Sequence, residues 1–226
     1  MELTTNPGAS PDALPQTARA FATLAMAKLR ARPQDPSEAS AGHRPSDFDL
    51  NPGHEADIAP PLSYRQAAVL VPIVAHSEPH VLLTQRTSTL SKHAGQIAFP
   101  GGTVDASDSG PLMTAFRETG EEIGLMPASI TPIGYLDCYR TGTGFVITPV
   151  VGLVEPGFAL SLNAREVEAS FEVPLRFLLD PVNHMIDTRI IQGRERQFYA
   201  MAHDGRYIWG ATAGIIRNLY ERLFGS

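Results

Sequence analysis

The spacing of apolar and polar positions separates a sparse N-terminal region from a region rich in short elements. Residues 1–15 are mostly polar or small and include three prolines. Apolar residues recur at helical spacing through Gln16–Arg32, which predicts a helix capped by Thr17 and stopped by Pro33. Residues 33–61 are rich in proline and acidic residues and have no periodicity. This pattern is typical of a connector along the surface or across a partner subunit, so a homodimer stays open.

Residues 62–226 are predicted to form the main domain, after an N-terminal extension of residues 1–61. The apolar runs Ala67–Val74 and Val81–Thr84 flank a turn-like segment and predict a β-hairpin. The patterns that follow predict strands at Thr131–Leu136 and Phe145–Val154, a hairpin of Ile186–Ile191 with Gln197–Met201, and helices over Gly110–Ile123, near Ala164–Glu172 and over Ile208–Leu223. Isolated helices among strands indicate an α+β or mixed α/β fold. The sequence contains no internal repeat.

Composition limits the classes of function. Hydrophobic residues make up 43% of the chain, which is enough for a core and too many for a disordered protein. The formal net charge is −6, which argues against a protein that coats nucleic acid with a basic face. A small anionic substrate remains compatible with this charge if local cations or a bound metal reverse it.

Cysteine content and hydropathy indicate the cellular compartment. Cys138 is the only cysteine, so neither an intrachain disulfide nor a cysteine-based zinc cluster can form. No apolar run approaches the roughly 20 residues that span a bilayer, and no secretory signal pattern is present. We therefore expect a cytoplasmic protein with no membrane partner.

Trp209, Phe198 and Cys138 are expected to be packing residues.

Residues 101–125 carry the strongest chemical signal. Pro111 suits the first turn of a helix, Asp108 or Ser109 can cap it, and Gly124 ends it. One face of the predicted helix is largely apolar: Leu112, Ala115, Phe116, Thr119 and Ile123. The opposite face is charged: Arg117, Glu118, Glu121 and Glu122.

The charged face is unfavourable for an isolated helix. Glu118 and Glu122 repel each other at i,i+4 spacing by about 0.2–0.5 kcal/mol. Gly120 costs the helix a further 0.8–1.0 kcal/mol, roughly, relative to alanine. A divalent cation such as Mg²⁺ or Mn²⁺ bound by the carboxylates would account for the cluster. On spacing alone, however, an ordinary solvated helix face is the favoured interpretation.

The complete string resembles the Nudix box. Gly102 matches its first glycine, and Arg117-Glu118, Glu121-Glu122 and Gly124-Leu125 match its core at the right spacing. Three departures occur. Asp108 stands in the upstream glutamate position, Thr119 replaces an apolar residue, and eight residues rather than seven separate Asp108 from Arg117.

A second motif points to one subfamily. Residues 82–102 read LLTQRTSTLSKHAGQIAFPGG and are similar to a signature of the coenzyme A pyrophosphatases within the Nudix superfamily. The matching residues are Arg86, Leu90, His93, Gly95, Gln96 and Phe99. That subfamily also has the lengthened box, and the resemblance extends over Tyr64–Leu223. It implies an α/β/α sandwich around a mixed sheet and Mg²⁺- or Mn²⁺-dependent hydrolysis of coenzyme A and its derivatives.

The resemblance also implies roles for individual residues. Glu118 and Glu122 are expected to bind the metal, Glu121 to be a third ligand or the catalytic base, and Arg117 to orient a carboxylate. Glu166 and Glu168, on a later segment, are the two alternative candidates for the base. The expected substrate-binding residues are Arg86, Lys92, His93, Gln96, Gly101 and Gly102.

Alternatives remain for these residues and for the function. Arg86 and Lys92 can be surface cations, while His93 and Gln96 can serve the local structure. Another nucleoside diphosphate derivative, such as ADP-ribose, is an alternative substrate. A non-catalytic nucleotide or coenzyme A sensor is the alternative from a different functional class.

Overall fold

The computed structural model describes residues 13–38, 45–53, 64–88, 94–191 and 193–225. The helices are α1 (Ala18–Lys28), α2 (Pro111–Ile123), α3 (Leu175–Leu179) and α4 (Ala211–Phe224), with short 3₁₀ turns at Pro36–Glu38, Pro127–Ser129 and Pro181–Asn183. The strands are β1 (Arg65–Val74), β2 (His80–Arg86), β3 (Ile97–Ala98), β4 (Gly101–Thr103), β5 (Ile130–Tyr135), β6 (Tyr139–Arg140), β7 (Phe145–Val154), β8 (Val167–Pro174), β9 (Met185–Ile191), β10 (Arg194–His203) and β11 (Arg206–Trp209). Within the described ranges, no helix has both the length and the apolar character needed to cross a membrane.

The main sheet is mixed, as predicted. Its path runs β3-β2-β1-β7-β5, while β4 pairs with β1, β6 with β7 and β8 with β2. The long central strands β1 and β7 run parallel, with Arg65 opposite Phe145 and Val74 opposite Val154. The predicted hairpin of β1 and β2 is confirmed by their antiparallel pairing.

Helices cover both faces of this sheet because the side chains of β1 alternate between two cores. Ala68 and Leu70 pack in one cluster with Ala115 and Ile123 of α2. Val71 and Ile73 belong to the other cluster, which contains the buried face of α4. The α/β/α sandwich is therefore confirmed, with α2 on one side of the sheet and α4 on the other.

A second sheet of three strands has the order β11-β10-β9. The predicted hairpin is present as β9 and β10, where Phe198 pairs with Asp187. The final helix begins at Ala211 rather than at Ile208, because residues 206–209 form β11 and pair with β10. Gly210, with φ of 65°, makes the turn from strand to helix.

The helix predicted near Ala164–Glu172 is wrong. Residues 167–174 form strand β8, which pairs antiparallel with β2. Apolar residues alternate with polar ones at Val167, Ala169, Phe171 and Val173, which is the two-residue period of a strand. The open edge of β2 completes the backbone hydrogen bonds of this segment, and this tertiary pairing outweighs its local helical preference.

The N-terminal helix packs into the main core. Thr17 caps α1 as predicted, since its hydroxyl accepts a hydrogen bond from the Ala20 amide at 3.2 Å. The helix ends at Lys28, before Pro33, because Leu29 is already extended. Phe21 and Ala25 are fully buried in the core cluster that also contains residues of α4. The division between residues 61 and 62 stays a prediction.

Candidate functional site

Helix α2 carries the charged residues, and its ends are set by glycines. The predicted cap at Asp108 or Ser109 is wrong: Gly110 is the N-cap, with φ of 152° and no side-chain hydrogen bond. Gly124 ends the helix as predicted, in the left-handed conformation with φ of 71°.

Asp108 does not cap the helix but accepts hydrogen bonds from Arg117 Nε at 3.1 Å and Arg117 Nη2 at 2.9 Å. These bonds hold the pKa of Asp108 well below its usual range.

Arg117 links the helix to its surroundings. Besides Asp108, its guanidinium donates to the Thr103 carbonyl at 3.1 Å, to Glu118 Oε1 at 2.9 Å and to Glu121 Oε2 at 3.4 Å. The hydrogen bond to Asp108, followed by the one to Glu118, raises the pKa of Arg117. This geometry fits the predicted role of orienting carboxylates, because each bond is charge-assisted or fixes the guanidinium plane.

Glu122 is buried, although the helical pattern placed it on the charged face. Its side chain is only 5% exposed, and Oε1 lies 3.8 Å from Arg86 Nη1. Its Oε2 accepts a hydrogen bond from the Gly101 amide at 3.2 Å. Burial raises the pKa of Glu122 to about 7, against the opposing effects of Gly101 and Arg86. Burial also raises the pKa of Glu118, despite its contact with Arg117.

The glycine pair allows close approach of backbone and carboxylates. Gly101 has φ of 152°, and a Cβ atom there would overlap the Ala68 carbonyl oxygen of β1. A Cβ atom on Gly102 would overlap the carboxyl group of Glu118. Any larger residue would therefore displace either the β1–β4 pairing or a glutamate.

A cavity of about 950 Å³ opens beside these groups. The sequence-predicted residues on its wall are Arg86, Gln96, Gly101, Gly102, Glu118, Glu122 and Glu166. Glu166 Oε1 accepts a hydrogen bond from Asn163 Nδ2 at 3.1 Å. Glu168 is exposed and is not among the described residues that line this cavity.

The structure separates some predicted residues from the cavity. Glu121 has a side chain 58% exposed and lies outside the described lining, joined to Arg117. Lys92 and His93 fall outside the described residues.

The Gln96 carbonyl accepts a hydrogen bond from the Arg86 amide at 2.9 Å, which fixes the strand end that carries Arg86. Arg86 Nε is buried without a hydrogen-bond partner among the described atoms.

The far wall of the cavity was missed by sequence reasoning. It includes Asp47 from the connector, Arg196 of β10, Trp209 of β11 and the start of α4. Asp47 accepts hydrogen bonds from the Tyr139 hydroxyl at 2.9 Å and the Gly142 amide at 2.8 Å. No periodicity marks Asp47, and the sequence pattern predicts only a packing role for Trp209. The pairing of β10 with β11 brings Arg196 and Trp209 to this wall, whereas the hydrogen bonds from Tyr139 and Gly142 hold Asp47 there.

The carboxylates on the near wall fit a divalent cation by their chemistry. The negative charges of Glu118 and Glu166 both raise the pKa of Glu122, and Glu166 also raises that of Glu118. Oxygen donors of this kind are the ligands that Mg²⁺ and Mn²⁺ prefer. Among the described residues, no three histidine, cysteine or acidic side chains are already gathered into a metal-binding group.

Removing the Glu122 carboxyl should change how stability depends on pH. Its pKa is about 7 when folded and 4.5 when unfolded, so the folded state holds a proton that the unfolded state releases between these values. The stabilisation that the folded protein gains from binding this proton is therefore complete below pH 4.5, and it is lost as the pH rises through 7. In EDTA at pH 8 we expect Glu122→Gln to be more stable than wild type by up to about 3 kcal/mol. Near pH 4.5 the two proteins should match.

Urea unfolding at both pH values, with metal chelated, measures this difference. Glutamine keeps an oxygen that can accept the Gly101 amide, so the comparison isolates the charge. A stability difference that does not vary with pH would contradict the prediction.

Comparisons with known proteins identify one family. Residues 64–177 match the NUDIX domain family. The chain is 42% identical over 160 residues to the protein named uncharacterized Nudix hydrolase NudL from Shigella flexneri serotype 5b (strain 8401), covering 70% of this chain and 83% of the relative. The protein of the same name from Escherichia coli O7:K1 is 43% identical over 159 residues, covering 70% and 82%. The solved structure of RenU, a Nudix hydrolase from M. smegmatis, is 20% identical with a TM-score of 0.48, covering 70% and 85%.

Proposed function

Because the chain belongs to the Nudix family, we propose that it is a metal-dependent hydrolase of coenzyme A and its derivatives. Water would cleave the diphosphate bond to give 3′,5′-ADP and 4′-phosphopantetheine, or the acyl form of the latter. The main support is the group of mutually repelling carboxylates Glu118, Glu122 and Glu166 on one wall of a cavity of about 950 Å³. A cavity of this size is large enough for a nucleotide-sized ligand.

Glu118 and Glu122 are proposed to hold Mg²⁺ or Mn²⁺. The ion would shield the diphosphate oxygens and activate water. Arg117 is a positioning residue in this proposal, because it contacts Asp108, Glu118 and Glu121 and lies outside the described cavity lining. Glu121 remains a proposed third ligand or base, which requires its side chain to leave Arg117.

Glu166 is the proposed catalytic base on the segment after the box. It lines the cavity, and its charge acts on both Glu118 and Glu122. Glu168 is exposed on β8, so it is less suited to take a proton from a water molecule in the cavity. The local turn supports Glu166, since Asn163 bonds both its amide and its carboxylate.

The substrate phosphates are proposed to lie on the same wall, beside the metal-binding glutamates. Arg86, Gln96, Gly101 and Gly102 line the cavity there, and both Arg86 and Gly101 lie close to the Glu122 carboxylate. Lys92 and His93 are included in this substrate-binding group on the basis of the sequence motif. The choice of coenzyme A rests on the same motif, residues 82–102, together with the lengthened box.

Product identification tests this function. The wild-type protein with Mg²⁺ or Mn²⁺ should convert coenzyme A to 3′,5′-ADP and 4′-phosphopantetheine, detected by mass spectrometry. ADP-ribose, NADH and dGTP complete the panel. Cleavage of ADP-ribose without cleavage of coenzyme A would assign another nucleoside diphosphate substrate. Tight binding of one compound with no cleavage of any would favour the sensor.

A further inference from the structure

The cavity has a second cationic end, remote in sequence from the glutamate helix. Among its described lining residues, the cations are Arg86 and Arg196. Arg86 lies beside Glu122, 3.8 Å from its carboxylate. Arg196 comes from β10 and also lines a smaller adjoining cavity of about 100 Å³, together with Trp209, Gly210 and Asp47. None of the glutamates lines that smaller cavity within the described part of the chain, so Arg196 marks the end away from them.

The Arg196 guanidinium has one unsatisfied nitrogen. Its Nε is buried and has no hydrogen-bond partner among the described residues, and no described carboxylate forms an ion pair with the side chain. Asp47 is near enough for Arg196 to lower its pKa, but burial raises that pKa more strongly, and Tyr139 and Gly142 already occupy its oxygens. A buried guanidinium nitrogen without an acceptor is costly unless a ligand supplies one.

The surroundings of Arg196 also favour an anion. Arg189 of β9 lies directly opposite Arg196 in the sheet register. Like charges in that position destabilise a sheet, and the Arg189 guanidinium stacks 4.3 Å from the centre of the Trp209 ring at the same wall. Gly210, Ala211 and Thr212, at the start of the 14-residue helix α4, line the cavity too. The positive end of the helix dipole therefore adds to the charge of Arg196.

We propose that Arg196 binds the 3′-phosphate of coenzyme A, while Arg86 lies at the diphosphate. This inference rests on the proposed function. Coenzyme A carries two separate anionic groups, and the cavity offers one cation near the metal-binding glutamates and a second at its far end. Arg196, Trp209 and α4 all follow residue 177, where the match to the family ends. Specificity for the 3′-phosphate would therefore come from a part of the chain outside the matched domain.

Kinetics with paired substrates test the assignment. For Arg196→Gln we expect KM for coenzyme A to rise roughly 10- to 100-fold, the range expected when a hydrogen bond to a charged group is lost. KM for dephospho-coenzyme A and kcat on both substrates should stay within about threefold. Arg86→Gln should impair both substrates alike. Arg194→Gln, at the exposed start of the same strand, is the matched control and should leave all four constants unchanged.

Equal losses on both substrates for Arg196→Gln would overturn the assignment, and so would unchanged constants. Thermal unfolding checks that Arg196→Gln is folded at the assay temperature, so that the kinetic constants of the two proteins can be compared.

A binding measurement separates this inference from the proposed activity. By calorimetry, wild-type protein should bind 3′,5′-ADP more tightly than 5′-AMP, and Arg196→Gln should abolish that difference. If coenzyme A is not cleaved but the difference is found, the proposed function fails and the phosphate site stands. Equal affinity of wild type for both nucleotides overturns the site even if coenzyme A is cleaved.

Discussion

Glu118→Gln should lower kcat on the true substrate by about a hundredfold or more while the protein stays folded. Metal ions supply several kcal/mol of charge stabilisation in reactions of this kind, and each 1.4 kcal/mol or so is a factor of ten in rate. Glutamine keeps the size of Glu118 and an oxygen that can accept the Arg117 bond of 2.9 Å. It removes the negative charge that we propose binds the ion. Steady-state kinetics over a range of Mg²⁺ and Mn²⁺ concentrations measures the effect.

Glu168→Gln provides the matched control, because Glu168 is an exposed glutamate outside the described cavity lining. Its kcat should stay within about twofold of wild type. Unfolding in EDTA should show Glu118→Gln at least as stable as wild type, since burial of the carboxylate raises its pKa. A collapse of stability in EDTA would instead make Glu118 a structural residue and remove the metal assignment.

Phe21→Ala should destabilise the protein by about 3–5 kcal/mol, the cost of emptying a buried aromatic site. Phe21 is fully buried in α1, in the cluster that α4 also joins. Proteins of this kind are stable by only about 5–15 kcal/mol, so the loss is a large fraction of the total. Urea unfolding followed by circular dichroism measures it.

Met26→Ala serves as the comparison on the same helix, because Met26 is 62% exposed. Its effect should be within about 0.5 kcal/mol. A similar small effect for Phe21→Ala would show that α1 is a dispensable attachment rather than part of the core.

Periodicity predicted the parts of the fold whose pattern is local. The bounds of β7 agree with the predicted Phe145–Val154, and α2 starts within one residue of the predicted Gly110. Both segments have a clear apolar face, and glycine or proline marks the ends of α2. The hairpin of β1 and β2 was also predictable, since two apolar runs flank a short turn.

Other features depend on contacts that local pattern does not encode. Residues 164–172 have enough helix-forming residues to suggest a helix, yet the free edge of β2 recruits most of them as a strand. The burial of Glu122 follows from the approach of Gly101, which β1 holds in place. Arg196 and Asp47 are 149 residues apart in sequence and share a cavity only through the second sheet and the connector.

The parallel pairing of β1 with β7 also constrains how the molecule is made. Every residue of β1 pairs with one 80 positions further along, from 65 with 145 to 74 with 154. Contacts of such long sequence separation form late, because a large loop must close first. That loop contains the glycine pair and the whole of α2. A nascent chain emerging from the ribosome therefore carries all three helix glutamates well before β7 arrives to complete the sheet beneath them.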